Sequence, residues 1–278
     1  MKILIAADME GITGVVSWDQ VNPNHSEYTH AEYTRFRRLM TGDVNAAIRG
    51  AFEGGASEVI VSDGHNMGRN ILIEDLDPRA RLNSGSPSPF SMVQGIDTGV
   101  NGVIFIGYHA RIGTQNAILE HTWSDERVAN VLINGQPFGE IGLNAAVSGH
   151  FGAPVLMISG DQAACAEATA LLGAVETAIV KTASGRMAAE LLPPAVSQEK
   201  IQAAAKRAVQ RLSQGQAPQP LRLQTPITLA IDFVQSEMAD KAALLPGARR
   251  AERRVEYSAA DMITIYAAFR TALALAKG

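Results

Sequence analysis

Ile3–Ala7 reads ILIAA, an unbroken apolar run that meets Asp8 and Glu10 directly after it. Apolarity without alternation over so short a stretch predicts a strand buried on both faces, the habit of parallel sheets. Two further runs behave alike: Ser57–Ser62 (SEVIVS) leads into Asp63 and His65, and Gly102–Ile106 (GVIFI) leads into His109 within GYHAR. After the first run, Thr41 reads as an N-cap with Asp43 in the first turn, VNAAIRGAFE as the helix body and Gly54-Gly55 as its stop. Strands alternating with helices predict an α/β fold, a three-layer sandwich around a mainly parallel sheet.

The pattern continues toward the C-terminus. Val131–Phe138 (VLINGQPF) carries Asn134-Gly135, a strong hairpin signal, and a helix is expected from about Gly139 to Gly149. Val155–Ser159 (VLMIS) and Ala178–Lys181 (AIVK) read as further strands with an Ala-rich helix between them. At Pro193-Pro194 the texture changes. A helix from about Ser197 to Leu212, a Gln/Pro/Gly loop (SQGQAPQP), the strands ITLAIDFV and RRVEYSA and a helix from about Ala260 predict a smaller α+β domain over 193–278, beside an α/β domain over 1–192. The run RRAERR at 249–254 has mixed sign and reads as a solvated face.

Composition narrows the function. The chain has 278 residues, 24 Lys and Arg against 28 Asp and Glu, and a formal net charge of −4, which argues against a nucleic-acid or anionic-membrane partner. Its single cysteine, Cys165, forms no internal disulfide and excludes a Cys-rich zinc site; on an Ala-rich helix it reads as a buried structural thiol. The opening MKILIAA is too short for a secretory or membrane-spanning segment, so a cytoplasmic protein is expected.

The decisive feature is where metal-type side chains fall. Asp8 and Glu10, then His65, then His109 each follow a candidate strand, and Glu140 stands at the start of a helix after the hairpin. In open α/β sheets ligands bind outside the carboxyl ends of the strands, so these residues are aimed at one rim. Carboxylates and imidazoles without thiolate suit Zn²⁺, Mn²⁺ or Co²⁺. Two histidines and three acids exceed what one open zinc site needs, and fit two metals about 3.5–4 Å apart, with Asp8, short and at a strand tip, as the bridge. Each residue also has an ordinary reading: Asp8 as a turn or cap, Glu10 as a loop acid, His65 as a turn histidine, His109 as a core histidine, Glu140 as a favourable charge at a helix N-terminus. Their joint placement favours a shared site.

The other histidines divide. His121, twelve residues past His109, reads as a ligand, a proton-transfer group or a packing residue. His25 and His30, in the polar segment PNHSEYTHAEY, read as surface or subunit-contact residues, and His150 as a helix-end residue. The chain has no HExxH, which excludes a thermolysin-like zinc helix, and no GxSxG, GxxxxGK[ST] or post-strand GxGxxG, which weakens esterase, NTPase and dinucleotide readings.

Four motifs in order, AADMEGITG (6–14), VSDGHNMGRN (61–70), FIGYHAR (105–111) and INGQPFGEIGLNA (133–145), resemble the metallopeptidases of family M55, the D-aminopeptidases. The similarity extends through KTASGRMAAELLPP and MADKAALLPGARR, over nearly the whole chain. The resemblance implies a dinuclear zinc site held by Asp8, Glu10, His65, His109 and Glu140, with His121, in LEHT, as the catalytic histidine. It also implies a homo-oligomer, a decamer enclosing its active sites, and short peptides beginning with a D-residue such as D-Ala as substrates. Two rivals remain open: a dinuclear-metal amidase or phosphoesterase acting on a non-peptide substrate, and a non-catalytic peptide-binding protein.

Overall fold

A computed structural model describes residues 1–26 and 29–277; Glu27 and Tyr28 of the PNHSEYTHAEY segment lie outside the described residues. In chain order the elements are β1 (Lys2–Ala7), α1 (Thr29–Glu53), β2 (Glu58–Asp63), β3 (Ala80–Asn83), β4 (Gly102–Tyr108), β5 (Val128–Ile133), β6 (Gln136–Pro137), α2 (Glu140–His150) and β7 (Val155–Asp161). Then come α3 (Gln162–Leu172), β8 (Glu176–Gly185), β9 (Ala188–Leu191), α4 (Pro194–Ser213), β10 (Ile227–Phe233), α5 (Ser236–Ala242), β11 (Arg249–Ala251), β12 (Arg254–Ala259) and α6 (Met262–Leu275).

The larger sheet has the order β3-β2-β1-β4-β7-β8-β9, parallel throughout except for the antiparallel β8–β9 hairpin. The apolar run of β1 follows from its central place. Ile3, Ile5 and Ala7 pack into a core shared with α1 and α4, whereas Leu4 and Ala6 pack into one shared with α2, α3, α6 and the second sheet. Both faces are covered, so neither can be polar. The fold is therefore α/β, with helices on both faces of a mainly parallel sheet. A smaller antiparallel sheet, β11-β12-β10-β5-β6, stands beside it.

Two expectations change. Thr41 is not an N-cap: α1 begins at Thr29, and Thr41 lies in its middle, donating to the Arg37 carbonyl (2.9 Å) and accepting from Leu72 N–H (3.0 Å). The first three turns of α1 are largely polar and half-exposed, so only Phe36 and Met40 mark the buried stripe there. The segments 1–192 and 193–278 also do not separate in space. β5 and β6 extend the sheet that β10 organises, and α4 packs along α1 over the larger sheet. The hairpin is as expected: Asn134 and Gly135 both have positive φ (50° and 76°), the two-residue turn of a tight hairpin. The run at 249–254 is exposed, with Arg250 paired to Asp240 and Arg254 to Asp232. Among the described residues no helix is long and apolar enough to cross a membrane.

Candidate metal centre and catalytic site

The chain runs from β1 outward to β2 and β3, then returns to place β4 on the other side of β1. This reversal opens a crevice at the carboxyl ends of β1 and β4, where doubly wound sheets bind their ligands. Asp8 and Glu10 leave β1 on one side of it, and His109 leaves β4 on the other. The two backbones cross closely there. Asp8 N–H donates to Ile106 O and Gly11 N–H to Gly107 O, each at 2.8 Å. A Cβ on Gly11 would stand 1.9 Å from the Tyr108 carbonyl oxygen, so only glycine fits.

All six residues singled out by sequence converge in this crevice. Asp8 sits in the middle: its Oδ1 lies 3.3 Å from His65 Nδ1, and its Oδ2 lies 3.4 Å from His109 Nε2. Glu10 Oε2 is 3.1 Å from His65 Nδ1, and Glu140 Oε1 is 3.2 Å from His109 Nε2. His121 closes the group, with Nε2 3.6 Å from Glu140 Oε1 and its ring stacked on His109 at 4.0 Å between centroids. None of the six is more than 9% exposed.

The imidazoles are oriented alike. His65 Nε2 faces Val21 O (2.8 Å), His109 Nδ1 faces Ala110 O (3.0 Å) and His121 Nδ1 faces Leu119 O (2.9 Å). A carbonyl oxygen only accepts, so each of these nitrogens carries the proton. In a neutral ring the opposite nitrogen then presents a lone pair to the carboxylates, and acceptor faces acceptor. Asp8 Oδ2, Glu10 Oε2 and His109 Nε2 are buried without a hydrogen-bond partner among the described residues. Buried acceptors converging in this way fit a divalent cation. A far nitrogen tied to a backbone carbonyl is the usual support of a ligating histidine. Two triads, Asp8–Glu10–His109 and His109–His121–Glu140, have donor atoms within 4.8 Å of one another.

Electrostatics follow from burial and from these contacts. Burial, with Glu10 beside it, pushes Asp8 up to about 7. Burial also raises Glu10 and Glu140 and lowers His65 and His109, but the acids hold both histidines well above their ordinary values. As imidazoliums, His65 holds Glu10 well below its own value and His109 holds Glu140 below its own; a divalent cation would take the place of those protons. His121 is lowered from its ordinary value by burial and by the neighbouring His109.

The surroundings fix this geometry. Asp63, the last residue of β2, accepts from Asn70 N–H (2.6 Å), Asn70 Nδ2 (2.7 Å) and Ile71 N–H (2.7 Å), which shapes the loop carrying His65. Asp161 accepts from Ile118 N–H (2.7 Å) and Glu167 from Arg111 N–H (2.8 Å), bracing the segment between His109 and His121. Trp18 packs edge-on against His121 with centroids 5.4 Å apart, and Arg186 lies over the Trp18 ring. Trp18, Asp161 and Glu167 carry no local sequence signal; only the assembled sheet places them here. His25 and His30 are exposed, and His150 ends α2.

A buried cluster of carboxylates and oriented imidazoles at the switch point of a doubly wound sheet defines a metal-dependent hydrolase site. Comparison with known proteins agrees. The peptidase family M55, described as D-aminopeptidase, matches residues 1–271, and the chain belongs to it. It is 36% identical to a D-aminopeptidase of Bacillus subtilis (strain 168) over 270 residues, which is 96% of this chain and 95% of that protein. It is also similar to the solved structure of the Zn-dependent D-aminopeptidase DppA from Bacillus subtilis, a self-compartmentalizing protease. The TM-score is 0.91 at 35% identity, covering 99% of this chain and 98% of that one.

Proposed function

We propose that this protein is a zinc-dependent D-aminopeptidase that removes the first residue, such as D-Ala, from short peptides. The observation that carries the reading is the central Asp8, whose two carboxylate oxygens face two separate acid–imidazole sets. That arrangement supports two Zn²⁺ per subunit, with Mn²⁺ or Co²⁺ as substitutes, held by Asp8, Glu10 and His65 on one side and Asp8, His109 and Glu140 on the other. When bound, such ions polarise the scissile carbonyl and lower the pKa of water.

The chain's own residues do the rest. The Val21 and Ala110 carbonyls orient His65 and His109 toward the acids. The Leu119 carbonyl leaves His121 Nε2 unprotonated, as a base or a nucleophile requires; once it has taken up a proton, the same nitrogen can donate to an oxyanion. Trp18 and the walls of the crevice limit water around it. The homo-oligomer, a decamer enclosing its active sites, and the cytoplasmic setting belong to the same proposal; the self-compartmentalizing relative supports the assembly.

Elemental analysis of the purified protein, with a hydrolysis panel of D-Ala peptides, L-Ala peptides and phosphoesters, tests this reading. About two zincs per chain and preferential release of D-Ala are expected. A protein without bound metal, or one cleaving only phosphoesters, overturns it.

A further inference from the structure

Lys181 is one of the largest fully buried side chains, 1% exposed in the middle of β8, and the crevice residues do not account for it. Its ammonium donates to three backbone carbonyls: Glu10 O at 2.6 Å, Ile12 O at 2.9 Å and Val15 O at 2.8 Å. Burial pushes this group down to about 7 against the pull of Asp161, Asp43 and Glu10; in its charged form all three of its N–H groups are used. The acceptors lie in the segment that leaves β1, which is buried from Asp8 to Thr13 yet belongs to no helix or strand. Buried backbone outside regular structure needs partners supplied by side chains.

On its other side the same segment is held by an anion. Asp43, 0% exposed on α1, accepts from Thr13 N–H (2.9 Å) and from the Thr13 hydroxyl (3.0 Å). A cation thus reads the carbonyls of the segment and a carboxylate reads its amide and hydroxyl, from elements on opposite sides. Charge-assisted bonds of this kind are stronger and more directional than neutral ones. An apolar residue at 181 would leave three buried carbonyls unpaired, whereas a neutral amide has two N–H groups for three acceptors.

Resting on the metal-centre reading above, we propose that Lys181 is a positioning residue: it sets the backbone at Glu10, and through it the placement of the Asp8 and Glu10 carboxylates and the zinc affinity of the centre. It touches neither substrate nor reacting atoms.

The test is zinc affinity, by competition with a chromophoric chelator, on the wild-type chain, Lys181→Met and Lys181→Gln, with thermal unfolding of each metal-free protein. Loss of such outer support typically weakens metal binding by about 10–100-fold. A loss of that order is expected for folded Lys181→Met and a smaller one for Lys181→Gln. Should Lys181→Met fail to fold, Lys181→Gln carries the test, with at least several-fold weaker binding expected. Wild-type zinc affinity in a folded variant, even one with a lowered Tm, overturns the proposal and leaves the metal centre standing. Failure of both variants to fold assigns Lys181 to the fold alone and also overturns it. A wild-type chain that binds no zinc overturns the metal-centre reading itself, and Lys181 with it.

Discussion

At the scale of single residues, His121 separates ligation from catalysis. Its Nε2 lies within reach of Glu140 and its Nδ1 is tied to Leu119 O, a geometry that serves a ligand and a proton-transfer group equally. His109 is held more closely: its Nε2 stands 3.4 Å from Asp8 and 3.2 Å from Glu140 and it is 1% exposed, while His121 Nε2 stands 3.6 Å from Glu140 and 4.0 Å from Glu10 and keeps 8% of its surface open. We expect His121→Ala to retain its metal and its Tm while turnover falls by about 10²–10⁴, in kcat as well as kcat/KM. Metal content, melting temperature and steady-state rates on one purified variant check this. An emptied metal position would make His121 a ligand, and full turnover with full metal would remove it from the mechanism. Cys165 is the contrasting case: burial pushes its thiol up to about 12, so it is chemically quiet, as a structural thiol should be.

At the scale of elements, the segment joining β1 to α1 is built by its neighbours. β4 supplies the carbonyls of Ile106 and Gly107, β8 supplies Lys181 and α1 supplies Asp43. Burial raises the Asp43 carboxyl to about 6 despite its bonds from Thr13 and the nearby charge of Lys181. The sign follows from proton linkage. Between the unfolded value of 3.8 and about 6 the folded state binds more proton than the unfolded chain. The resulting stability is therefore fully present below the lower value and is lost as pH rises through the higher. Asp43→Asn removes this dependence. Denaturant midpoints at pH 4.5, 6 and 7.5 should show the wild type gaining on the variant as pH falls, by about 2 kcal/mol across that range. A difference that stays constant with pH would show that Asp43 ionises in the folded protein as it does in the unfolded chain.

For the whole molecule, the proposed assembly makes a size prediction. An enclosed crevice admits short peptides and excludes folded chains. Light scattering of the purified protein should give a mass several times 29.5 kDa, and a folded protein substrate should survive while D-Ala peptides are cleaved. A stable, active monomer, or rapid cleavage of a folded protein, would refute the enclosed assembly. The boundary at 193 matters here because strands from before and after it share the smaller sheet, and α4, which follows it, packs over the larger one. Truncation at that boundary would strip α4 from the larger sheet and leave β5 and β6 without β10.

The amino-acid sequence by itself determined the central strands, because burial on both faces leaves an apolar run that no solvent-facing strand would carry, whereas the edge strands β3, β9 and β11 carry no such run. It also showed that acids and histidines follow those strands, since chemistry placed at strand ends needs no knowledge of how the strands are ordered. Four motifs sufficed to recognise the family. The sequence could not show that β1 and β4 are neighbours flanking a switch point, because strand order is a property of long-range pairing. For the same reason Lys181, Asp43, Asp161 and Trp18 were silent. Each acts on backbone or rings at least 30 residues away, and nothing local distinguishes a lysine in AIVK that reaches three buried carbonyls from one that faces water. Thr41 misled for a related reason: threonine is a good cap by residue type, but the helix begins three turns further back, and its hydroxyl donates to Arg37 O and accepts from Leu72 N–H instead. The chemistry proposed for the rim was legible in residue type, and the geometry that aims those side chains at one another was decided by packing alone.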